Sequence, residues 1–231
     1  MCELLAAVGD QSFELGKLLD WARRLEIRGF AGYGWGTAWV GEDGLDSYKH
    51  PGPLAEDGLA VDRLAAKKVR AAVIHLRRPT DPKTVTDADT QPFVDEAHTF
   101  AFCHNGFFKL HDAYRPQFAG RLHGSADTEV AFRMLEKEIA EGVPPTQALL
   151  RVHDRLTGNA NCTYLQQSGE LLVYAANAMN AVWRLRKDDL YVAVTGSHWR
   201  DDSGVATLFP GCKSMRLGTE PVSLGTSVLH R

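Results

Sequence analysis

A change in hydrophobic periodicity constrains the fold of this chain more than any other feature. Beyond Thr157, apolar and polar residues alternate with a period of two, which predicts successive antiparallel strands joined by short turns. These strands are predicted at 162–167, 171–175, 181–185 and 190–195. They follow two segments with the apolar spacing of helices, 128–141 and 145–156. Since the first half of the chain is rich in strands, the order predicts an α+β domain in which two antiparallel sheets pack face to face with helices outside.

The first half supplies the remaining elements. Apolar runs typical of strands lie at 4–8, 37–40, 69–75 and 99–103. Helical spacing is found at 13–26 and 61–67, turn residues predict a hairpin within 41–53, and the polar segment 81–92 is predicted to be a surface loop. The sequence has neither an internal repeat nor a long linker, so we expect residues 1–231 to form a single domain.

Charge and composition exclude several classes of function. The 26 basic and 29 acidic residues give a net charge of −3, which offers no case for a nucleic-acid or anionic-membrane partner. The sequence contains neither an apolar run long enough to cross a bilayer nor a signal peptide, so we expect a soluble, cytoplasmic protein. Its four cysteines are widely separated and form no CxxC pair. Neither a zinc site nor a disulfide framework is therefore expected, and nothing implies another metal or cofactor.

The residue that most suggests chemistry is Cys2, which directly precedes the apolar run 4–8. If Met1 is removed, Cys2 carries both a thiol and a free α-amine. Because an α-amine has a pKa of about 8, part of it is neutral near neutrality and can take the proton from the thiol. Position alone also fits a small buried cysteine at the start of a strand.

Three further positions have side chains suited to amide cleavage, and each also has a structural explanation. Asn105-Gly106 offers an amide donor beside a backbone N–H, as an oxyanion hole requires, but the same pair is common in hairpin turns. Arg77 at a strand end can bind a carboxylate through two hydrogen bonds, or be a surface residue. Asp127 can pair with an ammonium group, or cap the helix that follows it.

Taken together, six short motifs resemble those of the class II glutamine amidotransferases. In chain order they are Cys2-Glu3-Leu4-Leu5, Gly34-Trp35-Gly36, His75-Leu76-Arg77, Gln91-Pro92-Phe93, His104-Asn105-Gly106 and Asp127-Thr128-Glu129. This family consists of N-terminal-nucleophile hydrolases with a four-layer αββα sandwich. The chain is most similar to the stand-alone branch, which also resembles the γ-glutamyl amidohydrolase of ergothioneine biosynthesis.

The resemblance implies a role for each matching residue. Cys2 would be the nucleophile, with its α-amine as base. Asn105 and the N–H of Gly106 would form the oxyanion hole. Arg77 would bind the α-carboxylate of a glutamine or γ-glutamyl substrate, and Asp127 would bind its α-ammonium group.

The resemblance is weaker at other positions. Arg28-Gly29 resembles an arginine-glycine pair that lies beside the nucleophile and helps bind substrate. Residues 78–81 differ from the pattern of the synthases, so the substrate contacts of that pattern are not expected here. Thr80 is the residue of this segment that would still help to bind substrate. Tyr33 stands where the stand-alone branch usually has aspartate.

These observations predict a cysteine-dependent hydrolysis of the side-chain amide of glutamine or a γ-glutamyl amide. A synthase would need a separate partner subunit to accept ammonia, and hydrolysis by water is simpler. One alternative is an N-terminal-cysteine acylase, although Arg77 and Asp127 suit a zwitterion better than an apolar acyl chain. Another is an inactive amidotransferase-like binding or partner subunit. The leaving group would face the variable loops 81–89 or 198–203.

Overall fold

The structure is a computed structural model that describes residues 2–29, 31–79, 81–196 and 202–225. Its strands are β1 (Glu3–Glu14), β2 (Trp35–Gly41), β3 (Gly44–His50), β4 (Lys68–Leu76), β5 (Phe93–Val94), β6 (Phe100–Phe108), β7 (Gly158–Gln166), β8 (Leu171–Ala176), β9 (Val182–Lys187), β10 (Leu190–Thr195), β11 (Ser214–Arg216) and β12 (Val222–Leu224). Its α-helices are α1 (Gly16–Arg28), α2 (Gly58–Ala65), α3 (His111–Tyr114), α4 (Asp127–Ala140), α5 (Pro145–Leu156) and α6 (Ser203–Leu208). Short 3-10 helices lie at Leu54–Glu56, Pro82–Thr84 and Arg115–Phe118.

The strands form two sheets whose paired strands are antiparallel. The larger sheet has seven strands in the order β11-β9-β10-β1-β4-β2-β3, and the smaller has five in the order β12-β8-β7-β6-β5. Each sheet combines strands from both halves of the chain. The N-terminal strand β1 lies inside the larger sheet, between β10 and β4, so both of its edges are hydrogen-bonded.

The two sheets pack face to face, and helices cover their outer faces. Leu4 and Ala6 of β1 belong to the apolar cluster between the sheets. The alternate residues Leu5 and Ala7 belong to the cluster beneath α1, α2 and α6, because successive side chains of a strand point to opposite faces. The helices α4 and α5 pack on the outer face of the smaller sheet. The predicted αββα sandwich is therefore confirmed.

The first strand is longer than the sequence predicted. We expected it to end at Gly9-Asp10, but β1 continues past an irregularity in its register and pairs Phe13 with Val69. As a result, α1 begins at Gly16 instead of Phe13. The helix still buries the predicted stripe, which includes Leu18, Leu19, Ala22 and Leu25.

The strand β6 also runs further than predicted, and this difference concerns the functional residues. We expected a strand at 99–103, with Asn105-Gly106 as a possible turn. Instead, β6 extends to Phe108 and pairs with β7 throughout. Gly106 has φ +151°, and a Cβ there would lie 1.8 Å from the carbonyl oxygen of Asn159. Glycine thus lets the strand continue where another residue would clash, and the turn interpretation is wrong.

The remaining predictions of secondary structure hold except in one loop. The hairpin of β2 and β3, the helices α4 and α5, and the strands β7 to β10 lie where the periodicity placed them, within a few residues. Segment 81–92 is only partly the expected surface loop, since Asp89, Thr90 and Gln91 are buried. Among the described residues, we find no helix with the length and apolar character needed to cross a membrane.

Candidate active site

One cavity collects groups from four structural elements. Glu3 of β1 pairs with Leu76 of β4, so Cys2 and Arg77, one residue beyond each, lie at the same end of adjacent strands. Gly106 belongs to β6 of the other sheet, and Asp127 begins α4. Cys2, Arg77, Gly106 and Asp127 all line a cavity of about 290 Å³. The structure therefore brings together residues that are up to 125 positions apart in the chain (127 − 2).

The thiol of Cys2 lies against the backbone of Arg78. The Arg78 N–H donates to Sγ at 3.3 Å, and Sγ lies 3.6 Å from the Arg78 carbonyl oxygen. Burial raises the pKa of the Cys2 thiol, although the Arg78 N–H and the charge of Arg77 act in the opposite direction. The thiol therefore keeps its proton near neutrality and needs a base in order to react as a thiolate.

The side chain of Asn105 points at Cys2. Its Nδ2 donates to the carbonyl oxygen of Cys2. Its Oδ1 accepts from Nδ2 of Asn161 at 3.0 Å and from Nδ2 of Asn177 at 3.2 Å. Asn161 and Asn177 were missed in the sequence. The available signal was weak: a buried asparagine within the alternating pattern of β7, and another in the turn after β8.

The guanidinium of Arg77 is held by Thr84. Nη2 donates to Thr84 Oγ1 at 2.8 Å, and Nη1 donates to the Thr84 carbonyl oxygen. Burial lowers the pKa of Arg77 from its ordinary value, while Cys2, Asp89 and Asp127 favour the charged form. The predicted helper Thr80 lies outside the described residues, and so do residues 198–201 of the loop predicted at 198–203.

Asp127 is the first residue of α4, and backbone N–H groups orient its carboxylate. Oδ2 accepts from the N–H of Phe108 at 2.8 Å, and Oδ1 accepts from the N–H of Thr128 at 2.9 Å. The position before the helix is Ala126, whose side chain makes no capping hydrogen bond, so the interpretation of Asp127 as the cap is wrong. A carboxylate at this end of the helix is favoured by the helix dipole, and it is available to a cation in the cavity.

The buried side chain of Asp89 connects the part of the cavity that contains Arg77 to the part that contains Asp127. Asp89 Oδ1 accepts from the N–H groups of Ser125 at 2.6 Å and Ala126 at 2.7 Å. Its Oδ2 accepts from Thr86 Oγ1 at 2.8 Å. The loop that carries Thr84 is thereby attached to the segment immediately before Asp127. Sequence reasoning missed Asp89 because a single aspartate in a polar loop carries no distinguishing pattern.

Two histidines near the site are neutral and do not form a dyad with Cys2. His104 donates from Nε2 to the carbonyl oxygen of Asn159 at 3.2 Å, so its Nδ1 accepts from Thr128 Oγ1 at 3.1 Å. Burial lowers the pKa of His104, and burial with the charge of Arg77 lowers the pKa of His75 to about 3. Both side chains are packed in the interior.

The pair Arg28-Gly29 lies behind the cavity. Arg28 ends α1 and is exposed, and a Cβ at Gly29 would lie 3.3 Å from Glu3 Oε1. Gly29 thus packs next to the residue that follows Cys2. Neither residue lines the cavity, so a direct role in substrate binding stays a prediction.

The sequence model of the family described as "Glutamine amidotransferases class-II" matches residues 1–196. The chain belongs to the class II glutamine amidotransferases. Among curated relatives, this amidotransferase is 29% identical over 161 residues to glutamine–fructose-6-phosphate aminotransferase (isomerizing) of Streptomyces coelicolor. The match covers 68% of this chain and 26% of that protein. The amidotransferase chain thus spans about a quarter of the length of the relative it matches.

Solved structures support the fold of the amidotransferase. Glutamine phosphoribosylpyrophosphate amidotransferase from Bacillus subtilis, complexed with ADP and GMP, matches with a TM-score of 0.73 at 17% identity, over 96% of this chain and 48% of that one. A predicted glutamine amidotransferase from Pseudomonas aeruginosa matches with a TM-score of 0.56 at 18% identity, over 100% of both chains. At these identities the likeness concerns the arrangement of the two sheets and their helices.

Proposed function

We propose that this class II amidotransferase hydrolyses the side-chain amide of glutamine or of a γ-glutamyl amide through a γ-glutamyl thioester on Cys2. The observation that carries the proposal is the composition of the cavity, in which a thiol lies near both a buried guanidinium and an oriented carboxylate. A γ-glutamyl group has a carboxylate and an ammonium group at one end and a reactive carbonyl at the other.

The charges of the cavity match the amino-acid end of such a substrate. Arg77 is buried and its guanidinium is fixed by Thr84, so it can bind a carboxylate without a large cost of ordering its side chain. Asp127 can accept from the ammonium group. In a site that excludes water, these two charge pairs are stronger than they would be at the surface. This polarity favours the amidotransferase over an acylase that binds an apolar chain.

Removal of Met1 would supply the base that the reaction needs. The α-amine of Cys2 would take the proton of the thiol, and the thiolate would add to the amide carbonyl carbon to form a C–S bond. Collapse of the tetrahedral anion would break the C–N bond, and the departing nitrogen would take the proton from the α-ammonium group. Water would then add to the thioester, the C–S bond would break, and glutamate and the thiol would be released.

The tetrahedral anion would be stabilised by Asn105 and Gly106. The side-chain amide of Asn105 has two N–H groups, and only one is needed for its bond to the Cys2 carbonyl. The second N–H and the backbone N–H of Gly106 would receive the oxyanion. Loss of one donor of this kind typically lowers the rate by roughly 10²–10³-fold.

The test combines activity with the chemistry of the N-terminus. The wild-type protein should release glutamate from glutamine or a γ-glutamyl amide, and its intact mass should show the loss of Met1. A diazoketone analogue of glutamine should alkylate Cys2, and peptide mass spectrometry would identify Cys2 as the modified residue. Cys2→Ala should abolish both reactions, whereas Cys212→Ala, which changes a cysteine outside the cavity, should keep both. Wild-type hydrolysis by Cys2→Ala would refute the proposal.

The finer parts of the prediction belong to the same proposal. Membership of the stand-alone branch similar to the ergothioneine-pathway amidohydrolase is part of the proposal, and the six sequence motifs are what supports it. Sheets that mix strands from both halves support a single domain over 1–231. Four free cysteines support a cytoplasmic location. A separate synthase subunit that accepts the ammonia is the second candidate, since the curated relatives are named as aminotransferases of which this chain spans only part.

A further inference from the structure

A network of buried asparagines joins the nucleophile to the amide that faces it. Its members are Asn105, Asn161, Asn177 and Asn180, and each is at most 3% exposed. They come from β6, from β7 and from the turn between β8 and β9. We propose that Asn161 is a positioning residue for the reaction, because this network fixes the side chain of Asn105 relative to Cys2 before a substrate binds. The inference deepens the proposed function and rests on it.

The orientation of the Asn105 amide follows from how its oxygen is used. Both lone pairs of Oδ1 are occupied, since the oxygen accepts from Asn161 and from Asn177. A flipped amide would place its NH₂ group against these two NH₂ donors and its oxygen against the carbonyl oxygen of Cys2. The network therefore permits one orientation, in which N–H groups face the nucleophilic residue.

Asn161 is the centre of the network. Besides the bond to Asn105, its Nδ2 donates to the carbonyl oxygen of Asn180 at 2.6 Å, and its Oδ1 accepts from the backbone N–H of Asn177 at 3.1 Å. One side chain thus fixes both ends of the turn 177–180 and the oxyanion amide. The side chain of Asn161 bonds to Asn105, Asn177 and Asn180, whereas Asn105 bonds to Cys2, so Asn161 acts through Asn105.

Asn180 extends the network to the N-terminal strand. Its Nδ2 lies 3.3 Å from the carbonyl oxygen of Cys2 and 3.2 Å from Oε2 of Glu3, which also accepts from Thr195 Oγ1. The path from Asn105 through Asn161 and Asn180 therefore returns to Cys2. It crosses from the smaller sheet to the larger one, so it sets the distance between the two groups that must act together.

Steady-state kinetics of variants test this proposal. Asn161→Ala should lower kcat for glutamine about 10- to 100-fold while KM changes less than about twofold, because a misplaced catalytic group costs rate without removing the charged groups that bind substrate. Asn177→Ser is the milder variant and should lower kcat about 3- to 10-fold. A serine at this position can still accept from the N–H of Met179, as Asn177 does at 3.0 Å, so the turn is retained.

Two further measurements separate positioning from general loss of structure. The rate at which iodoacetamide alkylates Cys2 should stay near the wild-type value in both variants, because that reaction needs no oxyanion hole. Asn159→Ser changes an exposed asparagine on the same strand and should keep the wild-type kcat. If Asn161→Ala does not fold, Asn177→Ser decides the question alone.

The outcomes distinguish this inference from the proposed function. A wild-type kcat in folded Asn161→Ala or Asn177→Ser would overturn the positioning role. A fall in kcat accompanied by equal falls in the alkylation rate and in the folded fraction would also overturn it, because the variant would then have lost its structure in general. If instead the wild-type protein neither hydrolyses glutamine and γ-glutamyl amides nor reacts with the diazoketone at Cys2, the proposed function itself fails.

Discussion

Replacement of Asn105 by alanine should separate catalysis from stability. The change removes the side-chain donor of the proposed oxyanion hole, which corresponds to about 2.7–4 kcal/mol of transition-state stabilisation and a fall in kcat of roughly 10²–10³-fold. The structural cost should be limited, because the groups that bond to the Asn105 side chain each keep another partner, Asn180 Nδ2 at 3.3 Å in the case of the Cys2 carbonyl. Asn161 Nδ2 keeps the Asn180 carbonyl at 2.6 Å, and Asn177 Nδ2 keeps the backbone carbonyl of residue 105 at 3.3 Å.

The expected loss of stability is therefore that of three net hydrogen bonds, about 1.5–4.5 kcal/mol. For a chain of this size it lowers the melting temperature by roughly 3–18 °C. Glutamate release from saturating glutamine measures kcat, and thermal unfolding measures stability. Cys103→Ala is the control, since Cys103 is buried two residues earlier on the same face of β6. A folded Asn105→Ala protein with kcat within tenfold of wild type would refute the assignment of the oxyanion hole.

Three other changes test the rest of the site. Arg77→Lys should raise KM for glutamine about tenfold or more in steady-state kinetics. A single ammonium cannot keep both bonds to Thr84 and also bind a carboxylate through two hydrogen bonds. An unchanged KM would contradict the role of Arg77 in binding the carboxylate. Asp89→Ala should raise KM by a similar factor, and Asp89→Asn should raise it much less, because the asparagine oxygen can still accept from the N–H groups of Ser125 and Ala126. Equal KM values for the two variants would argue against the role of Asp89 in attaching the Thr84 loop to the segment before Asp127. His75 has an ordinary pKa of 6.5 that is lowered to about 3 in the fold, so the unfolded chain takes the proton first and stability falls as the pH decreases from 6.5 towards 3. The slope from this residue is up to about 1.4 kcal/mol per pH unit, and urea unfolding of His75→Leu across this range should show a flatter curve than wild type.

Local patterns were sufficient for most of the fold. The apolar run of β1, the alternation along β7 and the apolar stripe of α1 depend on neighbours in sequence, so they could be predicted without knowledge of tertiary contacts. The end of β1 could not, because its extension to Glu14 depends on pairing with β4 more than 50 residues away (68 − 14 = 54). The interpretation of Asn105-Gly106 as a turn was wrong for the same reason. Only its pairing with β7 shows that it is part of a strand.

The candidate site was predictable where a residue type suggests its own chemistry. A cysteine at position 2, an arginine at a strand end and an aspartate at a helix start carry such a signal, and the structure places all three around one cavity. Asn161 and Asp89 carry none, because their importance lies in the groups that they orient. Asn161 is 56 residues from Asn105 in the sequence, and Asp89 is 36 residues from Ser125.

The apolar layer between the sheets has a consequence for how this molecule can vary. Alanines at positions 6, 38, 71, 101 and 193 lie in that layer beside larger apolar residues such as Leu4 and Val73. Because Cys2 belongs to one sheet and Asn105 to the other, the thickness of the layer determines how well a reacting carbonyl fits between them. A larger side chain there would separate the sheets and slow the reaction from a place that no substrate touches. In the proposed reaction, packing inside the sandwich therefore affects turnover as well as stability.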